Sequence, residues 1–427
     1  MPSVYIETYG CSLNHADTAL AKTVLAKRGY TFTDNPEDAD VIIVNTCTVR
    51  MDSEERMKKV IRRLREIALK NNARLIVAGC MAAAQPFTVK RVAPEAVLVS
   101  PSNMHLIWRA VEEGVDLLRE PEEAKTRVMP EPKYAMRGKI AEVPLVDGCL
   151  GNCSFCITRV ARRHVYSRPP KLVLEYVRKL VSHGVVEIRL TGQDTAVYGI
   201  DIAGKRLLPD LVRDIVELDG DFMVRIGMMS PDQLQPILDE IVDVLKHPKV
   251  YKFLHIPVQS GDDRVLKIMG RRYTVDDVRE IVKYVRSRIP GITIATDIIV
   301  GHPGEDEEAF ENTLKLLEEL RFERVHLAQY TPRPRTIAAA MPQVPDPVKK
   351  ERSKKAMAVI ERIGFEEHSR LVGSRARVLV VGPAERGGLE GRLYNYVQVI
   401  LHEKVEPGWH EVEIVEATWY DVRGKII

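Results

Sequence analysis

GCLGNCSFC, residues 148–156, places Cys149, Cys153 and Cys156 within eight positions, and no fourth cysteine follows. A structural zinc site is normally closed by four protein ligands. The nearest candidate for the fourth, His164, lies at no common finger spacing. A 4Fe–4S cubane ordinarily takes four thiolates; held by three, it keeps one iron open to bind a substrate group and pass it an electron. Gly148, Gly151 and Asn152 supply the turn chemistry that lets a chain wrap a compact cluster. A lone cysteine reads as a small buried hydrophobe. A C-x3-C-x2-C set on a glycine-containing loop at the end of a strand points instead to an open metal centre.

Working outward, the loop follows the first of six strand-like segments: EVPLVDG, VVEIRLTG, DFMVRIGMM, YKFLHIPVQ, ITIATDIIVG and RVHLAQYT. Stretches of helical spacing separate them, which predicts an open (β/α)6 barrel over residues 135–366. Upstream, SVYIETYGC, DVIIVNTC and RLIVAGC are short apolar strands separated by helices, NHADTALAKTVLAKRG and DSEERMKKVIRRLREIALKN, the latter with Asp52 or Ser53 as its cap. This alternation predicts a parallel-sheet α/β domain over 1–115. Residues 116–134, rich in Pro and charge, read as a linker. The tail, 367–427, holds short strands between Gly turns and reads as a small all-β barrel.

Each of the three upstream strands ends in a cysteine: Cys11, Cys47 and Cys80. Carboxyl ends of neighbouring parallel strands lie side by side, so three thiols spread over 70 residues can converge on one point. A second three-thiolate centre follows from that reading.

The chain has 427 residues, 45% hydrophobic and 29% charged, with a net charge of +3, so bulk charge does not announce a nucleic-acid partner. Local charge does more. Residues 50–74 hold nine Lys/Arg against four Asp/Glu, with Lys58, Lys59, Arg62 and Arg63 at their centre. RVARRHVYSR (159–168), with Arg162 and Arg163, and KKERSKK (349–355) are also basic. Such patches can track phosphates. No apolar run approaches the roughly 20 residues of a bilayer span. The N-terminus lacks a basic region followed by an apolar stretch, so a cytoplasmic protein with reduced thiols and no membrane partner is expected. From Ser369 to Ile427 the tail balances eight Lys/Arg with eight Asp/Glu, and its Tyr394, Tyr396, Trp409, Trp419 and Tyr420 are candidates either to stack on unpaired bases or to fill the core.

Taken together, YGC…NTC…AGC, then GCLGNCSFC, then a β-barrel tail, resemble the methylthiotransferases of the radical S-adenosylmethionine superfamily over essentially the whole chain. The resemblance implies two 4Fe–4S clusters and S-adenosylmethionine: Cys149, Cys153 and Cys156 holding the radical-generating cluster, and Cys11, Cys47 and Cys80 an auxiliary one that delivers sulfur. Gly192, Gln193 and Asp194 of LTGQD stand where the superfamily binds the methionyl amino group. Arg225 offers a fork for a carboxylate, and Gly301 and Gly304 of IIVGHPGED stand where backbone approaches adenine. ARRH, LTGQDTAVYGID, RIGMMSP, HPKVYKFLHIPVQSG and QYTPRPRT resemble the archaeal and eukaryotic branch acting on N6-threonylcarbamoyladenosine at position 37 of tRNA. This adds Arg333 and Arg335 as RNA contacts, a TRAM-like RNA-binding tail, an electron donor, a sulfur source and a monomeric enzyme. The chain departs from the branch in having Arg163 after Arg162 where glycine is common, Arg335 where RPGT is usual, and His302 in place of phenylalanine. A ribosomal-protein aspartate as target, and a non-catalytic zinc-containing RNA-binding protein, are the competing readings.

Overall fold

The computed structural model describes residues 2–49, 51–121, 125–384 and 387–427, the side chains of 51–53 apart, so the Asp52/Ser53 cap lies outside the described residues. The first region is a parallel sheet of five strands: β1 (Ser3–Thr8), β2 (Thr31–Thr33), β3 (Val41–Thr46), β4 (Arg74–Gly79) and β5 (Val97–Val99), in the order β2-β1-β3-β4-β5. Two of these, β2 and β5, are three-residue edge strands too short to show as patterned runs in the sequence. The central strand β3 is buried along its whole length because both faces are covered. Ile42 and Val44 pack with Leu64 of the helix Met51–Asn71 on one side. Ile43 packs with Leu20 and Leu25 of the helix Ser12–Ala26 on the other.

The central region opens with a two-residue antiparallel strand, β6 (Met136–Arg137), beside β7 (Ile140–Asp147), which also pairs with β8 (Tyr166–Ser167). The six expected core strands are present: β7, β9 (Glu187–Gly192), β10 (Met223–Arg225), β11 (Phe253–His255), β12 (Thr293–Val300) and β13 (Arg324–Gln329). Parallel ladders run β7-β9-β10 and β11-β12-β13, and a parallel bridge between Val224 and Val250 joins the two arcs. The alternation of side chains sets inside against outside. Val143, Leu145, Ile188, Leu190, Val224 and Leu254 face the surrounding helices in one large core, leaving their neighbours to line the lumen.

The helix Asp346–Ser369 leads to a closed five-stranded barrel, β14 (Arg375–Pro383), β15 (Leu389–Arg392), β16 (Gln398–Leu401), β17 (Gly408–Ala417) and β18 (Val422–Ile426), in the order β14-β15-β16-β18-β17. Its Leu379, Val381 and Tyr396 pack with Ile140, Met223, Phe253 and Ala295. Those partners sit at the starts of the core strands, so the small barrel plugs the end of the central barrel away from the cysteine loop. Tyr396 is therefore core, donating to Glu187 (3.2 Å), while Trp409 donates to Asp221 (3.1 Å). The described part of the segment expected to be a linker packs into the structure through Lys125. Lys125 is buried against Asp17 (2.6 Å) and Asp147 (3.1 Å), tying the first region to the second. Among the described residues, no helix is long and apolar enough to cross a membrane.

Candidate active site: two facing cysteine trios

β1, β3 and β4 are adjacent in the sheet, and Cys11, Cys47 and Cys80 follow their carboxyl ends. Cys11 precedes the first turn of the helix Ser12–Ala26, and Cys80 opens the short helix Cys80–Ala84. Two glycines make room. A Cβ on Gly10 would meet Cys47 Cβ at 2.9 Å, and one on Gly79 would meet Asn45 Oδ1 at 2.3 Å; both have positive φ, +108° and +91°. The trio gathers around Asn14, a residue the sequence reading missed. Its amide nitrogen donates to the carbonyls of Tyr9 (2.7 Å) and Thr46 (3.0 Å), which fixes the amide oxygen toward Cys80 Sγ (3.8 Å) and Cys11 Sγ (4.0 Å).

The second trio sits on the loop after β7. The Gly148 N–H donates to Gln193 Oε1 (2.8 Å), and the Gly151 N–H donates to Cys149 Sγ (3.1 Å). A Cβ on Gly151 would lie 3.2 Å from Cys149 Sγ and 3.5 Å from Cys153 Sγ, and one on Gly148 would strike the His164 carbonyl oxygen at 2.0 Å. Gly192 lies under Val146. Asp194 is buried, accepts from Ser230 Oγ and the Ala196 N–H, and is pushed up to about 7 by burial. Arg225 stacks over Phe253 (5.1 Å) and Tyr396 (5.9 Å), its buried Nε without a hydrogen-bond partner. Gly301 (φ +74°) and Gly304 (φ +91°) follow β12, but the chains approaching them closely are Lys349 and Ile268, which occupy the space a Cβ would need.

Cys80 of the first trio lies at the domain junction, against the segment that follows the second trio. Cys80 and Ala84 share a buried cluster with Ile157 and Ala161, directly after Cys156. Two arginines expected to touch RNA are instead buried in this junction. Arg162 reaches Asp17, Asp147 and Asn14 Oδ1 (3.2 Å). Arg333 reaches Thr48 (2.8 Å), beside Cys47, and Glu54. An arginine enclosed by carboxylates at 3–5% exposure cannot reach a phosphate on the surface. Burial would raise Asp147, but Lys125, Arg162 and Arg168 hold it below the usual carboxylate range. Lys349 and Arg352 of the 349–355 patch are likewise buried, Arg352 on Glu305 (2.8 Å). Arg163 and Arg335 are exposed, as are Lys59, Arg62 and Arg63, whereas Lys58 is half-buried against Glu54 and Glu55.

The donor sets suit iron–sulfur clusters better than single ions. Thiolates on one tetrahedral zinc lie about 3.8 Å apart. Among the described residues the group of three ligand atoms within 4.8 Å of one another is His255, Asp297 and His326, and neither cysteine trio is so tight. His164 is exposed beside Tyr166 and does not close the second trio. Burial pushes the Cys80 thiol up to about 12, with Arg162 pulling it down, and burial with Asp194 nearby pushes Cys149 to about 12. A cationic centre shared by each trio offsets exactly that penalty by taking thiolates.

Residues 143–317 match the model of the Radical SAM superfamily, and residues 3–100 match that of "Uncharacterized protein family UPF0004". A protein of Pyrococcus horikoshii named "Probable threonylcarbamoyladenosine tRNA methylthiotransferase" is 36% identical over 100% of both chains. One of the same name from Methanothermobacter thermautotrophicus is 39% identical over 97% of each. The human threonylcarbamoyladenosine tRNA methylthiotransferase is 36% identical over 88% of this chain and 65% of its own. Among solved structures, the radical S-adenosylmethionine methyltransferase TsrM of Kitasatospora setae, with cobalamin and a [4Fe-4S] cluster bound, superposes with a TM-score of 0.59 at 17% identity. It covers 79% of this chain and 77% of its own, a likeness of fold alone. By full-length similarity, this chain belongs to the threonylcarbamoyladenosine tRNA methylthiotransferase family of radical SAM enzymes.

Proposed function

We propose that this enzyme attaches a methylthio group at C2 of N6-threonylcarbamoyladenosine 37 in tRNA. The carrying observation is that two cysteine trios, each with three thiols and no further cysteine in the chain to supply a fourth, lie on strand-end segments of adjoining regions that pack together where Cys80 meets Ile157. In this reading Cys149, Cys153 and Cys156 hold a 4Fe–4S cluster and leave one iron to S-adenosylmethionine, and Cys11, Cys47 and Cys80 hold an auxiliary cluster. When bound, these groups supply one-electron chemistry able to break a C–H bond that has no acid–base handle. Gln193 steadies the loop through the Gly148 N–H. Gly192 and Asp194 bound the S-adenosylmethionine side of the lumen, while Arg225 lies deeper, over Phe253 and Tyr396, and Gly301 and Gly304 shape the loop after β12 against Lys349 and Ile268. Asn14 and Arg162 keep the auxiliary thiols turned toward the barrel. The functional divisions are 1–115, 135–366 and 367–427, joined by 116–134.

The exposed Lys59 and Arg62 of the helix Met51–Asn71, with an open depression lined by Lys58, Arg62, Arg65 and Arg91 of the helix Pro86–Val92, form the tRNA surface of this region. Salt-dependent loss of tRNA binding on charge reversal at Lys59 and Arg62 is expected. The decisive assay is incubation of anaerobically reconstituted enzyme with S-adenosylmethionine, reductant and threonylcarbamoylated tRNA, followed by mass spectrometry of nucleosides. A 2-methylthio product supports the reading. Product only on a ribosomal protein, or none with stoichiometric zinc bound, would replace it.

A further inference from the structure

Each of the six core strands turns one ionisable side chain into the lumen at mid-height: Glu142, Arg189, Arg225, His255, Asp297 and His326. Glu142 lies opposite Arg189 and Arg189 opposite Arg225 in the ladders, and Asp297 lies opposite His326. In one half of this ring Arg189 reaches Glu142 (3.5 Å) and Glu187 (2.5 Å), while Arg225 rests on the rings of Phe253 and Tyr396. The other half differs in kind. His255 Nε2 lies 3.2 Å from Asp297 Oδ2, the two imidazole centroids are 5.5 Å apart, and ligand atoms of His255, Asp297 and His326 all fall within 4.8 Å of one another. His255 is buried and Asp297 half-buried, while His326 is exposed at the open side of the lumen.

We propose that His255, Asp297 and His326 form a binding site for one divalent transition-metal ion, separate from both cysteine trios. Two imidazoles and a carboxylate approaching from one side are the donor set that divalent first-row ions accept while keeping positions open on the other side. Ligand bonds of about 2.1 Å put neighbouring donors about 3 Å apart. The His255–Asp297 pair already has that spacing. Rotation of the exposed His326 ring closes the third edge without moving backbone, because all three residues are anchored on paired strands. The donor set selects for N/O-binding ions, unlike the thiol trios, so the sites differ in chemistry as well as place. Arg225 and Arg324 act on His326 and Arg271 on Asp297. Their positive charge opposes a cation, so binding is expected in the micromolar range.

The test is a Mn(II) titration followed by electron paramagnetic resonance. It uses reconstituted holoenzyme whose thiols are occupied by clusters held in the oxidised, diamagnetic state. One Mn(II) per chain is expected, with nitrogen couplings from imidazole. His326→Ala and Asp297→Asn should each weaken binding at least tenfold, with iron content unchanged as the control for folding. Failure of wild type to bind up to millimolar Mn(II), binding without imidazole coupling, or wild-type affinity in either variant would overturn the assignment. None of these readouts depends on methylthiolation.

Discussion

The two cysteine trios reach a similar end by opposite routes. Cys149, Cys153 and Cys156 belong to one loop, whose geometry is set locally by turn residues and by hydrogen bonds from Gly148 and Gly151. Cys11, Cys47 and Cys80 are brought together only by the pairing order β1-β3-β4 and then trimmed by Asn14, Gly10 and Gly79. A local site survives small changes elsewhere in the fold. An assembled site inherits the stability of the sheet and of the junction that closes over it.

The largest test of that contrast separates the trios by chemistry. Cys153→Ala should reduce S-adenosylmethionine cleavage to background, whereas Cys47→Ala should retain cleavage and lose methylthio transfer. Each should drop iron from about eight to about four per chain. Deoxyadenosine release and nucleoside mass spectrometry read the two activities, and a variant of either trio that keeps both would break the comparison.

Next in size is the junction. Arg162→Met leaves Asp17 and Asp147 with Lys125 as their remaining close cation shared between regions, and is expected to destabilise by about 3–5 kcal/mol. Arg333→Met should do less, about 1–3 kcal/mol, because Glu54 keeps Lys58 and Gln85. Thermal and denaturant unfolding of the purified chains would measure both. The reverse order would show that the Cys47 side, not the Cys80 side, anchors the junction.

The smallest effect concerns the local loop. His302, fully buried, touches Ser154 (3.3 Å) and packs against Phe155 (5.9 Å between rings), and burial lowers its pKa to about 4. Below its ordinary value of about 6.5 the unfolded chain takes up a proton that folded His302 refuses until about pH 4, so stability falls as pH drops through that window. The loss is at most about 3 kcal/mol. His302→Phe should flatten it, seen as a smaller difference in Tm between pH 7.5 and pH 5. An unchanged difference would assign the acid sensitivity elsewhere.

The six core strands and the cysteine loop were legible because their signals are local: apolar runs of strand length, turn glycines and thiols three and four residues apart. The assembled trio was legible for a related reason, since each cysteine ends a patterned strand. The short strands β2 and β5 carried too few residues to show a period. The basic patch at 159–168 and the resemblance-based reading of Arg333 misled, because sequence charge does not tell a solvated arginine from one clasped by carboxylates. Arg162 and Arg333 found partners 145 and 279 residues away, Asp17 and Glu54. Gly301 and Gly304 kept their positive φ, but only packing disclosed that Lys349 and Ile268 fill the space beside them.

By itself, the order of residues determined which elements form and where thiols end them, because hydrogen bonding and hydrophobic burial act along short spans. Tertiary structure alone decided which charges face water, that Asn14 sits among the auxiliary thiols, and that His255, Asp297 and His326 meet in the lumen. Those outcomes depend on strand register and on desolvation between segments tens to hundreds of residues apart, which no local pattern encodes.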